Sequence, residues 1–304
     1  MSRYRTVAAF LLVTVIFGTS FPAIKFGIER VPPLALAAAR YTTSGVLLLA
    51  FSAATGRDWL PRTRADRRAI AAGGVLFIGG TGLTFVGQQY TTSGVAAIIV
   101  SLTPVLTVLL AWGLVPAERP TWRGLVGVAL GFVGVALVVR PTPAGLLDGS
   151  IVGKSLILVA TGVVTLGTVL VRRVEHPMSV LPFTGWCMLV GAGVQVAGAA
   201  AVGGPFTATD TGPATIAVVA YLGVIAGAVA FGLYFWLLDR IGVFETNLVT
   251  YLSPPVSLVT GWALLGEGIQ PLALAGFAVI ATGFLVLKNR EVAAEVARYR
   301  GPGR

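Results

Sequence analysis

Two prolines, each with a hydroxyl one helical turn before it, are the residues whose types and spacing best suit chemistry. Leu102-Thr103-Pro104 recurs as Leu252-Ser253-Pro254, and Ser101 and Tyr251 hold matching places three residues earlier. A proline inside a helix removes the hydrogen bond to the carbonyl four residues back. The carbonyls of Val100 and Thr250 must then find other partners. Asn247 lies one further turn before Tyr251, so it shares a helix face with the Pro254 defect. A second polar stripe, Thr81, Thr84 and Gln88, runs at offsets of three and four, and the repeat shift sets Tyr234 opposite Thr84. Buried amides such as Gln88 and Asn247 carry several donors and acceptors to satisfy. Hydroxyls, amides and aromatics so arranged recognise a small uncharged or zwitterionic molecule. The plainer alternative is hydrogen bonding between neighbouring helices, the commonest fate of threonine in a membrane.

Charges inside apolar stretches are few. Arg40 is the deepest: it either attracts an anionic group such as a substrate carboxylate or bonds carbonyls at a helix end. Lys25 is expected to reach the interface or to pair with Glu29, four residues on. Glu118 and Glu267 read as capping or loop-orienting groups, with gating as the alternative. None of the 12 acidic residues falls near the middle of an apolar stretch, which disfavours a carboxylate relay for protons and leaves facilitated diffusion or exchange. Cys187 is the one cysteine and His176 the one histidine, so neither a disulfide framework nor a metal centre nor a catalytic dyad is expected, and no cofactor.

The elements that must position these groups are spans of a membrane. Apolar residues make up 56% of the 304 and charged ones 11%, a balance outside that of soluble domains. Ten stretches of about 20 residues are long enough to cross: 7–26, 34–54, 69–89, 93–115, 121–139, 151–171, 181–202, 213–238, 243–265 and 271–287. The net charge of +10 suggests nucleic acid at first sight, but the basic residues lie between apolar stretches. Arg3, Arg5, Arg57, Arg62, Arg64, Arg67, Arg68, Arg119, Arg123, Arg172, Arg173, Arg240 and the tail from Lys288 fall on one side, against Arg30, Arg140 and Lys154 on the other. The positive-inside rule makes the richer side cytoplasmic and puts both termini there. A cleaved leader is not expected, because the first apolar run continues past Gly18 without a small-residue cleavage site. Trp112 and Trp262, Gly127 and Gly276, and Gly134 and Gly283 extend the proline repeat. A half with an odd number of spans enters its copy from the opposite face, so the two halves are inverted. The glycines of the fifth and tenth spans are expected to permit close packing.

Two five-helix halves, the opening Phe17-Gly18-Thr19-Ser20-Phe21 with Lys25 behind it, Ala39-Arg40-Tyr41 in the second span and the twice-repeated Leu-Thr/Ser-Pro with a later Glu resemble the EamA-type members of the drug/metabolite transporter superfamily. The likeness covers about residues 7–287, with Phe17 standing where that family often has Trp. It implies a ten-helix exporter or importer of small metabolites with a cavity between the halves, and it adds Phe17 and Ser20 to the expected site. The expected fold is therefore all-α and polytopic, with ten transmembrane helices in two inverted five-helix repeats over 1–146 and 147–290 and a basic cytoplasmic tail over 291–304. The expected function is transport, as export, of a small polar or amphipathic metabolite such as an amino acid, by alternating access around a midplane cavity. The alternative is a membrane-embedded binding protein or scaffold without net transport. The expected substrate-binding residues are Phe17, Ser20, Arg40, Thr84, Gln88, Ser101, Pro104, Tyr234, Asn247, Tyr251 and Pro254. The expected partners are the small-molecule substrate and the cell-membrane bilayer, with no nucleic acid, and the expected state is a monomer or weak dimer.

Overall fold

A computed structural model describes residues 3–114, 121–139, 149–203 and 212–287, and every regular element among them is helical. Ten helices follow one another: α1 Arg3–Ile28, α2 Pro33–Ala54, α3 Arg64–Tyr90, α4 Ser93–Leu114, α5 Trp122–Val139, α6 Gly149–Arg172, α7 Val180–Ala201, α8 Pro213–Ile241, α9 Val243–Leu265 and α10 Pro271–Leu287. The first nine have the length and composition of a membrane span, and α10 is an equally apolar helix of 17 residues. The expected tail over 291–304, Glu118, Arg119 and Arg140 lie outside the described residues, as does the side chain of Asn247.

Helix is the structure such a sequence must take, since backbone groups in lipid have no partners but each other. Side chains as large as Leu11, Val159, Ile216 and Leu264 stand exposed on the bundle surface, where acyl chains replace water. The ends are set by local chemistry. Pro32 and Pro33 open α2, with fixed φ and no N–H to lose. Thr63 and Asp66 close a capping box on α3, the Asp66 carboxylate accepting the Thr63 N–H at 2.8 Å and the Thr63 hydroxyl accepting the Asp66 N–H at 3.0 Å. Gly266, at φ 65°, ends α9 in the left-handed conformation.

The packing has the two-fold character of an inverted repeat. Helices α5 and α10, which are repeat mates, pack on each other, and so do α2 and α7. The contact of α1 with α9 is mirrored by that of α6 with α4, and α3 against α7 by α8 against α2. Between α5 and α10 the backbones touch through glycines in reciprocal pairs. A Cβ on Gly127 would lie 2.6 Å from the Gly283 carbonyl and one on Gly283 2.6 Å from the Gly127 carbonyl, and Gly134 and Gly276 repeat the arrangement at the same distance.

Three irregularities interrupt the helices. Wide π turns occupy Gly73–Ile78 in α3 and Tyr221–Val229 in α8, at matching repeat positions. Helix α4 breaks at Ser101 and Leu102, just before Pro104, whereas α9 runs unbroken through Pro254 and Pro255.

Candidate functional site

The π turn of α8 is where the buried Arg40 of α2 is found. A π turn shifts the hydrogen-bond register by one residue and leaves backbone carbonyls available to side chains, which is why such turns gather at functional sites. Here α2 supplies the side chains. The Ser44 hydroxyl donates to the Gly223 carbonyl at 2.7 Å, and Arg40 Nη2 reaches the Ala226 carbonyl at 3.4 Å. Arg40 is 6% exposed, and its guanidinium carbon lies 5.1 Å from the ring centre of Tyr41 and 6.0 Å from that of Phe85. Its Nε has no partner. The ion pairs among the described residues join Arg30 to Glu29 and Arg62 to Asp58, so this guanidinium faces aromatic rings and one distant carbonyl rather than a carboxylate. The carbonyl that Arg40 reaches is in mid-span, at Ala226, and not at a helix end.

The matching turn of α3 is served from α7. Gln195 Nε2 donates to the Ile78 carbonyl at 3.0 Å and to the Thr81 hydroxyl at 3.3 Å. Ser44, Gln195 and the π turns escaped sequence reasoning. The signal available was the glycine clustering at 73, 74, 79 and 80 and at 223 and 227.

Between α1 and α8 lies an aromatic group. Phe17 is 5.5 Å from Phe231 and 5.9 Å from Tyr234, and Phe235 is 5.8 Å from Tyr234. Between the same two helices, Thr19 and Tyr221 share a hydroxyl hydrogen bond of 2.6 Å, a pair the sequence pattern did not pick out. Ser20 is buried and donates to the Ile16 carbonyl of its own helix at 2.7 Å. Thr84 is buried next to Phe85. Gln88 is fully buried, its amide reaching the Phe21 carbonyl at 3.5 Å while its Oε1 has no partner. Lys25 does not pair with Glu29: it donates to the carbonyls of Gln88 and Gln89 at 2.8 and 3.3 Å, at the end of α3, and Glu29 pairs with Arg30 at 3.5 Å. Carbonyls at the end of a helix carry the negative pole of its dipole, which is why the ammonium prefers them.

The proline of α9 lies close by, since a Cβ on Gly18 of α1 would stand 2.9 Å from the Ser253 carbonyl oxygen. At Pro104 the orphaned Val100 carbonyl accepts the Thr103 hydroxyl at 2.6 Å, and Ser101 donates to Ile98 at 2.7 Å. In α9 the Ser253 hydroxyl bonds Val249 at 2.7 Å, and Pro254 is buried. Tyr251 is 8% exposed and stacks on Phe284 of α10 at 4.3 Å, with its hydroxyl unpartnered. It belongs to the same apolar cluster as Leu102 and Val105 of α4. The candidates are carried on α1, α2, α3 and α8 and on α4 and α9, and the two groups meet where α1 packs on α9 at Gly18, Ser253 and Val256. A cavity of about 400 Å³ opens at the end of the bundle where α1 joins α2, walled by Ile28, Val31, Pro33, Val86, Gln89 and Ala199. None of the candidate residues lines it.

The pattern of the EamA-like transporter family matches residues 5–140 and again 151–288. The chain is 27% identical over 275 residues to the uncharacterized inner membrane transporter YedA of Escherichia coli (strain K12), covering 90% of this chain and 87% of that one. It is 28% identical to a probable terminal-alkyne amino-acid exporter of Streptantibioticus cattleyicolor, with 95% of each chain covered. It is 26% identical to a probable amino-acid metabolite efflux pump of Salmonella typhimurium, over 91% of this chain and 92% of that one. A crystallised protein 20% identical in sequence shares the fold at a TM-score of 0.63, over 94% of this chain and 98% of its own.

Proposed function

We propose, on the premise that this chain belongs to the EamA-like transporter family, that it exports a small polar or amphipathic metabolite, an amino acid or a related compound, across the cell membrane. The two inverted halves, 1–146 and 147–290, alternate around a site at mid-depth, with both termini and the basic tail of 291–304 in the cytoplasm. The excess of arginine and lysine on the terminal side supports that orientation. The relatives named for amino-acid export support the substrate class.

The observation that carries the reading is Arg40. A cation buried in a bundle within lipid is costly to keep and is retained where it meets a countercharge or a pathway. With aromatic rings on two sides and no carboxylate beside it among the described residues, Arg40 suits the carboxylate of a zwitterion, whose apolar part the neighbouring rings of Tyr41 and Phe85 would cover. Gln88 Oε1 and the Tyr251 hydroxyl, also buried and unpartnered, are further acceptors for the substrate's polar groups.

The test is flux of a panel of labelled amino acids and their amides in vesicles of defined orientation. Transported amino acids should lose at least tenfold in apparent affinity in Arg40→Gln and recover partly in Arg40→Lys. Equal affinity in wild type and Arg40→Gln overturns the role of Arg40, and no flux of any panel member overturns the substrate class.

A further inference from the structure

The corner where α3 turns into α4 is tied down from two sides by charges of opposite sign. Glu267, in the connection from α9 to α10, accepts the Ser93 backbone N–H at 2.9 and 3.0 Å on its two oxygens and the Ser93 hydroxyl at 2.6 Å. The first N–H groups of a helix lack intrahelical partners and are normally capped by a residue just upstream. Thr92 does this for the Val95 N–H at 3.4 Å, and a further cap, on the Ser93 N–H, comes from 174 residues away, in the other half. Lys25 of α1 meanwhile holds the carbonyls of Gln88 and Gln89 at the end of α3. Gly261 makes room for the contact, since a Cβ there would stand 2.6 Å from the Ser93 hydroxyl oxygen.

On the opposite face the sequence does not repeat the hydroxyl of this tie. The mate of Ser93, 150 residues on, is Val243, which has no hydroxyl to donate. The tied helices are also the two that carry the paired prolines at mid-depth, the place where a helix bends most easily. A lock at one end and a bend in the middle, on the same two helices, make a device for opening one face.

We propose that Glu267 and Ser93 form a latch that holds α4 to α9 and closes the face of the bundle opposite the N-terminus, and that this face opens when the latch is released. The inference rests on the transporter reading, because a carrier must close each face in turn. A carboxylate held by a shared backbone N–H and by a hydroxyl is bound strongly enough to define a closed state, and no covalent change is involved, so the substrate's binding energy can pull the bonds apart.

The experiment reads exposure directly. Ser257 of α9 is fully buried one turn below Gly261. In a Cys187→Ala background, a cysteine at this position (Ser257→Cys) is labelled with a membrane-impermeant maleimide added to the face that carries Arg30. The parent should react slowly. Glu267→Gln, which keeps the shape and removes the charge, should speed labelling at least fivefold, and Ser93→Ala two- to threefold. Gly261→Ala should act like Glu267→Gln while leaving every hydrogen-bonding group in place, so it carries the test where a carboxylate variant folds poorly. Lys25→Ala reports the second tie and should give a smaller rise. Unchanged labelling in the folded variants overturns the latch and leaves Glu267 as a helix cap. Faster labelling in a protein that moves no panel substrate strikes the transport reading and not the latch.

Discussion

At Pro104 and Pro254 the same three-residue motif meets two different fates. Helix α4 comes apart at Ser101 and Leu102, while α9 stays helical through Pro254 and a second proline. The difference lies in the residues around the proline. In α4 three successive bonds close to the third residue back: Ser101 Oγ to Ile98, the Leu102 N–H to Ile99 at 3.1 Å, and Thr103 Oγ1 to Val100. Short hydroxyls compete with the backbone for its own carbonyls, and here they win. In α9 the position of Ser101 is taken by Tyr251, whose hydroxyl is too far from its own backbone to compete and lies against Phe284 instead. Ser253 bonds four residues back, in helical register. A mid-span proline therefore supplies the opportunity for a break, and its neighbours decide whether the break is made.

The same contrast runs through the π turns. The turn in α3 is held by Gln195 with a bond of ordinary length, and the one in α8 by Ser44 and by an arginine at the limit of bonding distance. One joint is closed by a neutral amide and the other carries an unpaired charge. Both turns are fastened by a side chain from a neighbouring helix, and the α8 turn also meets the cation of Arg40 on α2.

Where the halves are alike, equal substitutions should do equal damage, and this is the largest effect expected. Gly127→Val and Gly283→Val both drive a side chain into the backbone of the facing helix. Each should cost about 3 kcal/mol, seen as similar drops in the midpoint of thermal unfolding in detergent. A large loss in one and none in the other would break the symmetry of the α5 and α10 contact.

Where the halves differ, the responses should diverge. Gln195→Leu removes a satisfied bond and should lower stability by about 1 kcal/mol with modest change in flux. Arg40→Leu removes a buried charge without a carboxylate partner and should leave the unfolding midpoint unchanged or higher while flux falls. Matching stability losses in the two would make the joints equivalent and Arg40 a structural group.

The smallest structural effect is expected at Tyr251→Phe, which deletes a hydroxyl without a partner. Stability should stay within about 0.5 kcal/mol, and apparent substrate affinity should weaken several-fold if that hydroxyl meets the substrate. Lowered stability with unaltered affinity would assign Tyr251 to the packing of α9 on α10.

The number of spans, their repeat, the position of the prolines and the fitness of the fifth and tenth spans for close packing were all decided by the sequence itself. Lipid imposes helix on any apolar stretch of sufficient length, and a five-span half must return inverted. Small residues in register mark where two backbones can touch. The capping role considered for Glu267 followed from its place beyond a helix end, though not the partner it caps. That Lys25 turns to the end of α3, that Arg40 meets a π turn, that Tyr251 lies against α10 and that α4 breaks while α9 does not were decided only by the tertiary structure. In water the polar face of a helix shows which way it points, because burial and solvation separate the two faces. Within a bilayer both faces are apolar, so the sequence period carries little information about direction, and the neighbours that fill each face must be in place before any side chain's partner is determined.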